Sequence, residues 1–204
     1  MKPPSDMKLY ITAASPYARK CRIVAREKGL ADRIEEVAVD PYANAPELLA
    51  CNPLVQVPTL IAEDGLPLND SPVICEYLDA LGDGPRLLPE GGAERLRVRR
   101  LETLANGALE MGVKLLLEKR RPEQERSPSW MVRWTANMGR ALDALEAAAP
   151  DAARLDMGVI TAGVAVTWTG FRHPDFDWKA GRPKLAALQS ALEARPSFRE
   201  TAPV

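Results

Sequence analysis

The sequence is poor in the residues that build metal sites and disulfide frameworks. Its 204 residues include one histidine, His173, and three cysteines, Cys21, Cys51 and Cys75, with no Cys-x-x-Cys pair among them. A single imidazole excludes a histidine-rich metal site, and widely separated cysteines indicate neither a zinc site nor a disulfide scaffold. We therefore expect no metal and a reducing, cytoplasmic location. The residues around His173 predict a turn after a helix, so we expect a surface or turn role for it.

The chain also lacks an excess of charge and any long apolar run. It has 27 Lys and Arg against 28 Asp and Glu, a formal net charge of −1, so no overall positive field exists to hold nucleic acid or an anionic membrane. No window approaches the roughly 18 apolar residues of a membrane helix. The polar start of the chain lacks the apolar segment of a signal peptide, and we interpret residues 1–6 as an extension. We expect a globular protein whose partner is a small molecule or another protein.

The first region, residues 7–82, mixes short apolar runs with turn signals. Apolar runs bounded by Gly, Pro and Asp predict strands, and apolar residues at helical spacing predict helices between them. Two strands separated by the acidic turn at residues 62–65 predict a hairpin. The order β-α-β and then β-β-α matches the thioredoxin fold, with a mixed four-stranded sheet. The predicted elements are Lys8–Ile11, Pro16–Lys28, Ile34–Val39, Pro46–Ala50, Thr59–Ile61, Leu66–Leu68 and Pro72–Leu81.

The second region, residues 92–204, follows a predicted linker at residues 83–91, where glycine and proline are concentrated. Strand signals vanish after the linker, and long apolar stripes at helical spacing replace them. We therefore predict an all-α bundle as a second domain. Its helices are predicted at about 93–120, 128–148, 156–169 and 183–195.

Ser15 and Pro16 stand directly after the first predicted strand. A serine N-cap followed by proline begins a helix well, because the serine oxygen accepts an unpaired N–H and proline loses no donor there. The same corner places a hydroxyl beside the positive end of a helix, where an anion is favoured. A bound thiolate would be stabilised there. We expect the pKa of its thiol to fall by about 2, and each pKa unit corresponds to about 1.4 kcal/mol. Helix capping alone is the alternative interpretation.

The tripeptide Asp70-Ser71-Pro72 repeats this pattern before the next helix. We expect Ser71 to cap that helix, with Pro72 in its first turn and Asp70 on its approach. A ligand carboxylate would meet the helix N-terminus and a ligand ammonium would meet Asp70, which suits an amino-acid-like zwitterion. Capping alone also explains the tripeptide.

The segment between these two corners, residues 52–60, contains Pro53 and Pro58. A trans Pro58 would be an ordinary strand start. A cis Pro58 would turn the backbone of Val57 outward, where it could pair with an extended ligand. The sequence leaves both isomers open.

Taken together, these segments resemble the glutathione S-transferases from about residue 8 to the C-terminus. The tail of the chain resembles that of small bacterial members whose first helix begins Ser-Pro-Phe or Ser-Pro-Tyr. The resemblance implies a thioredoxin-like domain followed by an all-helical domain, in a cytoplasmic homodimer that detoxifies a small electrophile bound between the domains. The segments that carry it are Ser15-Pro16-Tyr17, Asn52-Pro53 with Val57-Pro58, Asp70-Ser71, Phe171-Arg172, Asp177-Trp178 and Arg195-Pro196-Ser197-Phe198.

The resemblance also implies a role for each site residue. The implied reaction activates glutathione, a co-substrate, as a thiolate without a metal and adds it to the electrophile. A non-catalytic binding or interaction protein is one alternative, and a glutathione-dependent peroxide or disulfide reductase is another. In the implied site Ser15 hydrogen-bonds the thiolate, Val57 pairs with the cysteinyl unit, Pro58 is the cis-proline, Asp70 and Ser71 hold the γ-glutamyl group, and Gln56 lies near the glycyl end.

Two departures from the family pattern affect these expectations. The family loop usually reads Asn-Pro-Leu-Gly-Lys-Val-Pro, whereas here Val55 and Gln56 replace Gly and Lys. The missing lysine removes a charge near the glycyl carboxylate, so glutathione affinity is expected to be low. The capping box of the buried helix spans residues 156–159, where Asp156 can cap but Val159 cannot return the bond. The missing bond is expected to cost about 1 kcal/mol of stability.

Two tyrosines are rival activators of the thiol, because some family branches use a tyrosine near the first strand. We expect Tyr10 to pack in the core and Tyr17 to lie at the edge of the site. Cys21 is expected to be a small buried hydrophobic residue. Since Ser15 and not a cysteine occupies the corner, we do not expect reduction through a protein thiol.

Overall fold

The computed structural model describes residues 6–204. The predicted extension at residues 1–6 therefore lies outside the described residues, apart from Asp6. Contacts divide the chain into two compact units: the first runs to Arg86 and also contains Pro196–Val204, and the second is Leu87–Arg195. In the described part of the chain, no helix has the length and apolar character needed to cross a membrane.

The first unit is built on a mixed four-stranded sheet. Strand order is β2-β1-β3-β4, with β1 parallel to β2 and antiparallel to β3, which confirms the predicted thioredoxin-like fold. Boundaries fall within two residues of the prediction, because the turn residues that end each element were visible in the sequence. The elements are β1 Met7–Ile11, α1 Pro16–Glu27, β2 Ile34–Ala38, α2 Pro46–Leu49, β3 Thr59–Ile61, β4 Pro67–Asn69 and α3 Ser71–Leu81.

Helices α1 and α3 pack against each other and bury their apolar faces. Ile23 of α1 and Ile74 and Leu78 of α3 are fully buried, together with Leu9 and Leu60 on the central strands. The i, i+4 spacing of Ile74 and Leu78 places both on one side of α3. The core therefore lies between the sheet and these two helices.

An ion pair is buried where α1 and α3 end. Lys28 Nζ lies 3.3 Å from Asp79 Oδ1, and the two side chains are 2% and 1% exposed. The same ammonium donates to the carbonyl of Gly84 at 3.3 Å and to that of Pro85 at 3.1 Å. All three ammonium hydrogens thus find oxygen partners, as a buried charge requires.

The second unit is all helical, as predicted. Its helices are α4 Gly92–Arg120, α5 Pro128–Ala148, α6 Met157–Arg172 and α7 Pro183–Glu193. Helix α6 is almost entirely buried and packs on α4, which also packs on α5. An alanine Cβ at Gly158 would come within 2.7 Å of Leu101 Cβ, so α4 and α6 approach closely at a position only glycine allows.

The end of the chain, Pro196–Val204, groups with the first unit. A short helix α8, Pro196–Arg199, follows α7. Its Phe198 carbonyl accepts a hydrogen bond from Arg19 of α1 at 3.1 Å, and the Arg19 guanidinium lies 5.5 Å from the centre of the Phe198 ring. A contact between residues 179 positions apart leaves no local sequence signal.

Helix α6 begins at the predicted cap. Asp156 Oδ1 accepts the N–H of Val159 at 2.9 Å, as expected. The carboxylate has a further partner that the sequence did not indicate, because Arg97 of α4 donates to its Oδ2 at 2.6 Å. The ion pair supplies an interaction that the incomplete capping box lacks.

His173 differs from the prediction. It follows α6 as the C-cap, so the turn role is confirmed, but its side chain is 1% exposed and the surface role is wrong. Its Nε2 lies 3.0 Å from the carbonyl oxygen of Gly112 on α4, and its ring meets the edge of Trp168 with centroids 5.7 Å apart. The neighbouring Pro174 and Asp175 marked the turn, whereas the partners on α4 are distant in sequence.

Candidate functional site

Strand register brings the three candidate segments to one edge of the sheet. Tyr10 near the end of β1 pairs with Thr59 at the start of β3, and Thr59 pairs with Asn69 at the end of β4. The segment after β1, the residue before β3 and the segment after β4 therefore emerge side by side. These carry Ser15, Pro58 and Asp70, which the sequence placed in one site.

Ser15 is the N-cap of α1, as predicted. Its backbone is extended, with φ −75° and ψ 121°, and its Oγ accepts the N–H of Ala18 at 3.2 Å. That bond uses an oxygen lone pair, so the hydroxyl hydrogen remains available to donate. The first turn of α1 contains no acidic residue, so the positive end of the helix keeps its attraction for an anion.

Asp70 and Ser71 occupy the start of α3 differently from the prediction. Asp70 is the N-cap, at φ 65° and without a side-chain cap bond, and Ser71 is the first helical residue. The expectation that Ser71 caps α3 is therefore wrong, because the chain turns through the left-handed region one residue earlier. The Ser71 side chain is 1% exposed, and its Oγ has no hydrogen-bond partner among the described residues.

The unpaired Ser71 hydroxyl is informative because buried polar atoms nearly always have a partner. An acceptor such as a carboxylate placed at the N-terminus of α3 would satisfy both the hydroxyl and the free N–H groups of the first turn. That turn also contains no acidic residue. The exposed Asp70 stands beside it, free to face a cation. The pair retains the predicted suitability for a zwitterion.

The peptide bond between Val57 and Pro58 is cis, which settles the isomer that the sequence left open. Among the described residues, no backbone hydrogen bond involves Val57. Its N–H and C=O are thus available at the sheet edge. Gln56 is exposed, with its side chain at the surface.

Asn52 shapes the loop, a role that sequence reasoning missed. Its side-chain nitrogen donates to Thr59 Oγ1 at 2.8 Å and to the carbonyl of Gln56 at 3.2 Å. Its side-chain oxygen accepts from Leu54 N–H at 3.0 Å and from the Asn69 amide at 3.3 Å. The buried amide ties the loop to β3 and β4. The family resemblance had identified Asn52 as part of this loop, but its pairing with β4 was not visible in the sequence.

Val55 has a positive φ of 50°. This region is costly for a β-branched side chain and freely populated by glycine. Val55 occupies a position that is usually glycine in the glutathione S-transferases. Glycine suits the positive φ of this turn.

We expect Val55→Gly to raise the free energy of unfolding by about 0.5–1 kcal/mol. Relief of the left-handed strain, about 1–2 kcal/mol, exceeds the added chain entropy of glycine, about 0.5–1 kcal/mol. Urea denaturation of the full chain measures the change. The matched control is Val57→Gly, at a position without positive φ, which should be destabilising. Equal destabilisation by both substitutions would contradict the assigned strain.

The two tyrosines that are rival activators of the thiol, and Cys21, lie as expected. Tyr10 is 8% exposed within β1, so it packs in the core, and Tyr17 is half-buried in the first turn of α1. Cys21 is fully buried with its Sγ 3.7 Å from that of Cys75. Burial, followed by the hydrogen bond with Cys75, raises the pKa of the Cys21 thiol well above its ordinary value. A raised pKa disfavours the thiolate, so Cys21 is no nucleophile.

Comparison with protein-family models identifies residues 14–81 as a glutathione S-transferase N-terminal domain. An Escherichia coli protein described as the uncharacterized GST-like protein YibF is 34% identical over 201 residues, covering 97% of this chain and 98% of that protein. Over 102 residues, a stringent starvation protein A homologue of Pasteurella multocida is 37% identical, which spans 48% of this chain and 47% of that one.

Solved structures agree with these sequence matches. A glutathione transferase family member from Pseudomonas fluorescens with bound glutathione superposes with a TM-score of 0.93 and 33% identity, over 97% of this chain and 99% of that chain. A glutathione S-transferase from Methylobacterium radiotolerans in complex with glutathione sulfonate has a TM-score of 0.89 and 34% identity, over 97% and 94%.

Proposed function

The chain belongs to the glutathione S-transferase family, and on that premise we propose that it binds glutathione at the edge of its sheet and adds the thiolate to a small electrophile. One observation carries the proposal above the others. Two helix N-termini open at the same edge, and neither has an acidic residue in its first turn. Each carries a serine whose hydroxyl hydrogen is free to donate. This arrangement suits a ligand with a thiolate at one point and a carboxylate at another.

The proposed roles are those that the family resemblance implies, and the geometry of the site supports them. Ser15 donates to the sulfur while its oxygen still caps α1. Val57 offers free backbone groups to the cysteinyl unit next to Pro58, and Gln56 lies near the glycyl end. Ser71 and the N-terminus of α3 hold the γ-glutamyl carboxylate, and Asp70 holds the γ-glutamyl ammonium. Similar structures with bound glutathione or glutathione sulfonate support glutathione as the ligand.

We expect Ser71→Ala to weaken glutathione binding by about 10-fold or more, because a hydrogen bond to a charged group contributes about 1.5–3 kcal/mol. The same substitution should leave binding of cysteinylglycine, which lacks the γ-glutamyl group, unchanged. Calorimetric titration of the full chain with both ligands measures the difference.

The matched control is Ser190→Ala, an exposed serine on α7 whose loss should affect neither ligand. Absence of glutathione binding by the unaltered protein would overturn the proposal. A loss of affinity that is equal for both ligands would overturn the role of Ser71 and leave glutathione binding standing.

We also propose a cytoplasmic homodimer that removes electrophiles, as in the family resemblance. A second copy could cover apolar side chains that are exposed on both units. These are Leu66 and Val73 on the first unit and Leu96 on the second. Sedimentation of the purified chain tests this: a dimer supports the proposal, and a monomer at micromolar concentration contradicts it.

A second candidate function is a non-catalytic binding protein of the same fold. The observation in its favour is the loop, where Gln56 supplies no charge for the glycyl carboxylate. This candidate predicts no turnover of any aromatic electrophile despite a folded chain, whereas conjugation predicts saturable turnover. Replacing the electrophile by a peroxide or a disulfide in the same assay separates conjugation from glutathione-dependent reduction.

A further inference from the structure

Two residues at the edge of the sheet have a strained backbone. Val55 has φ 50°, and Asp70 has φ 65° with ψ 129°. Side chains disfavour positive φ, so such a backbone persists only where the surrounding structure holds it in place. Both residues adjoin groups that the proposed function uses: Val55 lies two positions before Val57, and Asp70 is followed by Ser71. The contacts that hold these two turns therefore also set the geometry of the ligand site.

Asn52 holds the first of these turns. Its Oδ1 accepts the N–H of Leu54 at 3.0 Å, and its Nδ2 donates to the carbonyl of Gln56 at 3.2 Å. Its own carbonyl accepts the N–H of Val55 at 2.9 Å. Three consecutive residues are thus tied to Asn52, and Val57 follows directly after them.

The same amide reaches the strand that leads to the second turn. Asn69 Nδ2 donates to Asn52 Oδ1 at 3.3 Å, and Asn69 is the last residue of β4, directly before Asp70. Asn52 Nδ2 also donates to Thr59 Oγ1 at 2.8 Å, and Thr59 pairs with Asn69 in the sheet. An amide has two N–H donors and two oxygen lone pairs, and this buried side chain uses all of them.

The bond from Asn69 has no part in closing the loop. Bonds within residues 52–59 already shape it, since the carbonyl of Gln56 also accepts from Thr59 Oγ1 at 2.8 Å. The bond from Asn69 comes from outside the loop, next to Asp70. It therefore connects the part of the site proposed for the cysteinyl unit with the part proposed for the γ-glutamyl group.

We propose that Asn52 is a positioning residue for glutathione, which fixes the backbone of Val57 and the Asp70-Ser71 corner in one arrangement. The inference rests on the proposed function and adds to it, because an amide whose donors and acceptors are all used acts through its neighbours. Binding of the γ-glutamyl group at Asp70 and Ser71 is coupled to binding of the cysteinyl unit at Val57 through this one side chain.

Asn69→Ala tests the bond that joins the two parts of the site, and Asn69 is exposed, so the variant should fold. We expect it to weaken glutathione binding about 3- to 10-fold, the effect of one neutral hydrogen bond. Binding of cysteinylglycine, which lacks the γ-glutamyl group, should be unchanged, because the loop keeps its own bonds. Calorimetric titration of the full chain with both ligands measures the difference. Unchanged glutathione affinity, or an equal loss for both ligands, would overturn the proposal.

Asn52→Ala should weaken binding of both ligands, because it releases both turns. We expect a loss of about 10-fold for cysteinylglycine and of about 30-fold or more for glutathione. In the Asn52→Ala background, Asn69→Ala should have no further effect on glutathione binding, since its partner is already gone. Losses that simply add would show that Asn69 acts independently of Asn52 and would overturn the proposal. If Asn52→Ala does not fold, the comparison of the two ligands with Asn69→Ala decides the proposal by itself.

Thr161→Val is the matched control for the loss of a buried polar side chain. Thr161 is fully buried on α6 and donates to the carbonyl of Met157 at 2.7 Å, so its loss should lower stability and leave both affinities unchanged. A loss of glutathione affinity as large as that of Asn52→Ala would reduce the role of Asn52 to stability and overturn the proposal. Failure of the unaltered chain to bind glutathione would overturn the proposed function as well, whereas normal binding with an inert Asn69→Ala would overturn this inference alone.

Discussion

Ser15→Ala is expected to lower kcat for conjugation of glutathione to an aromatic electrophile by about 10- to 100-fold. In the proposed function the Ser15 hydroxyl donates a charge-assisted hydrogen bond to the thiolate, and such a bond contributes about 1.5–3 kcal/mol. Without it, the thiol pKa rises and less thiolate exists at neutral pH. The loss should shrink as the pH rises, because deprotonation at higher pH compensates for the missing donor. A pH profile of kcat measures both effects.

Two controls separate this role from helix capping. Ser15→Ala also removes the Ala18 N–H partner and should cost about 1 kcal/mol of stability. Ser15→Thr keeps both the cap and the donor and should retain most activity. Ser127→Ala changes a serine before α5 that makes no side-chain cap bond, and it should leave kcat unchanged. A Ser15→Ala variant with undiminished kcat across the pH range would show that another group activates the thiol.

Lys28→Met is expected to lower the free energy of unfolding by about 3–5 kcal/mol, the cost of removing one member of a buried ion pair. The substitution removes the ammonium beside the Asp79 carboxylate, which is 1% exposed, and takes the Lys28 donor from two carbonyl groups. Because typical stability is about 5–15 kcal/mol, the loss is a large fraction of the total. Urea denaturation monitored by tryptophan fluorescence measures it.

The double variant Lys28→Met with Asp79→Leu should recover much of the loss, since removing both charges restores an apolar environment. Lys114→Met breaks the pair with Glu110 on the surface of α4, where both side chains are about half exposed; that change should cost no more than about 1 kcal/mol. Similar losses for Lys28→Met and Lys114→Met would contradict the stabilising role of the buried pair. The pair also matters for the site, because it joins α1 and α3, whose N-termini form it.

The sequence predicted the elements of this fold well because their ends carry local chemistry. Ser15-Pro16 marked the start of α1, the acidic turn at residues 62–65 marked the hairpin, and helical spacing marked α4 to α7. These signals act over a few residues, so one chain suffices to recognise them. The mixed sheet and the helical second unit followed from their order.

Features that depend on distant residues could not be predicted. Lys28 looked like an ordinary end of a helix, and its partner Asp79 is on another helix. His173 stood in a polar turn and gave no sign of the α4 carbonyl that buries it. The pairing of Phe198 with Arg19, which draws the chain end onto the first unit, has no local signature.

The candidate site contains both features that local sequence predicted and features that depend on the folded chain. Ser15 was predicted correctly as the N-cap of α1, because its cap bond spans three residues. The start of α3 was displaced by one residue because the positive φ of Asp70 is a property of the folded chain. Asn52 was part of a recognised loop, yet its bonds to Thr59 and Asn69 required the strand register.

If this site stabilises a glutathione thiolate, the thiol of bound glutathione must have a lowered pKa. Ultraviolet absorbance of the thiolate, followed against pH with glutathione saturating the full chain, gives this pKa. We expect a value about 2 below that of a free thiol, which is about 8.5. A bound thiol that titrates with the pKa of free glutathione would contradict it.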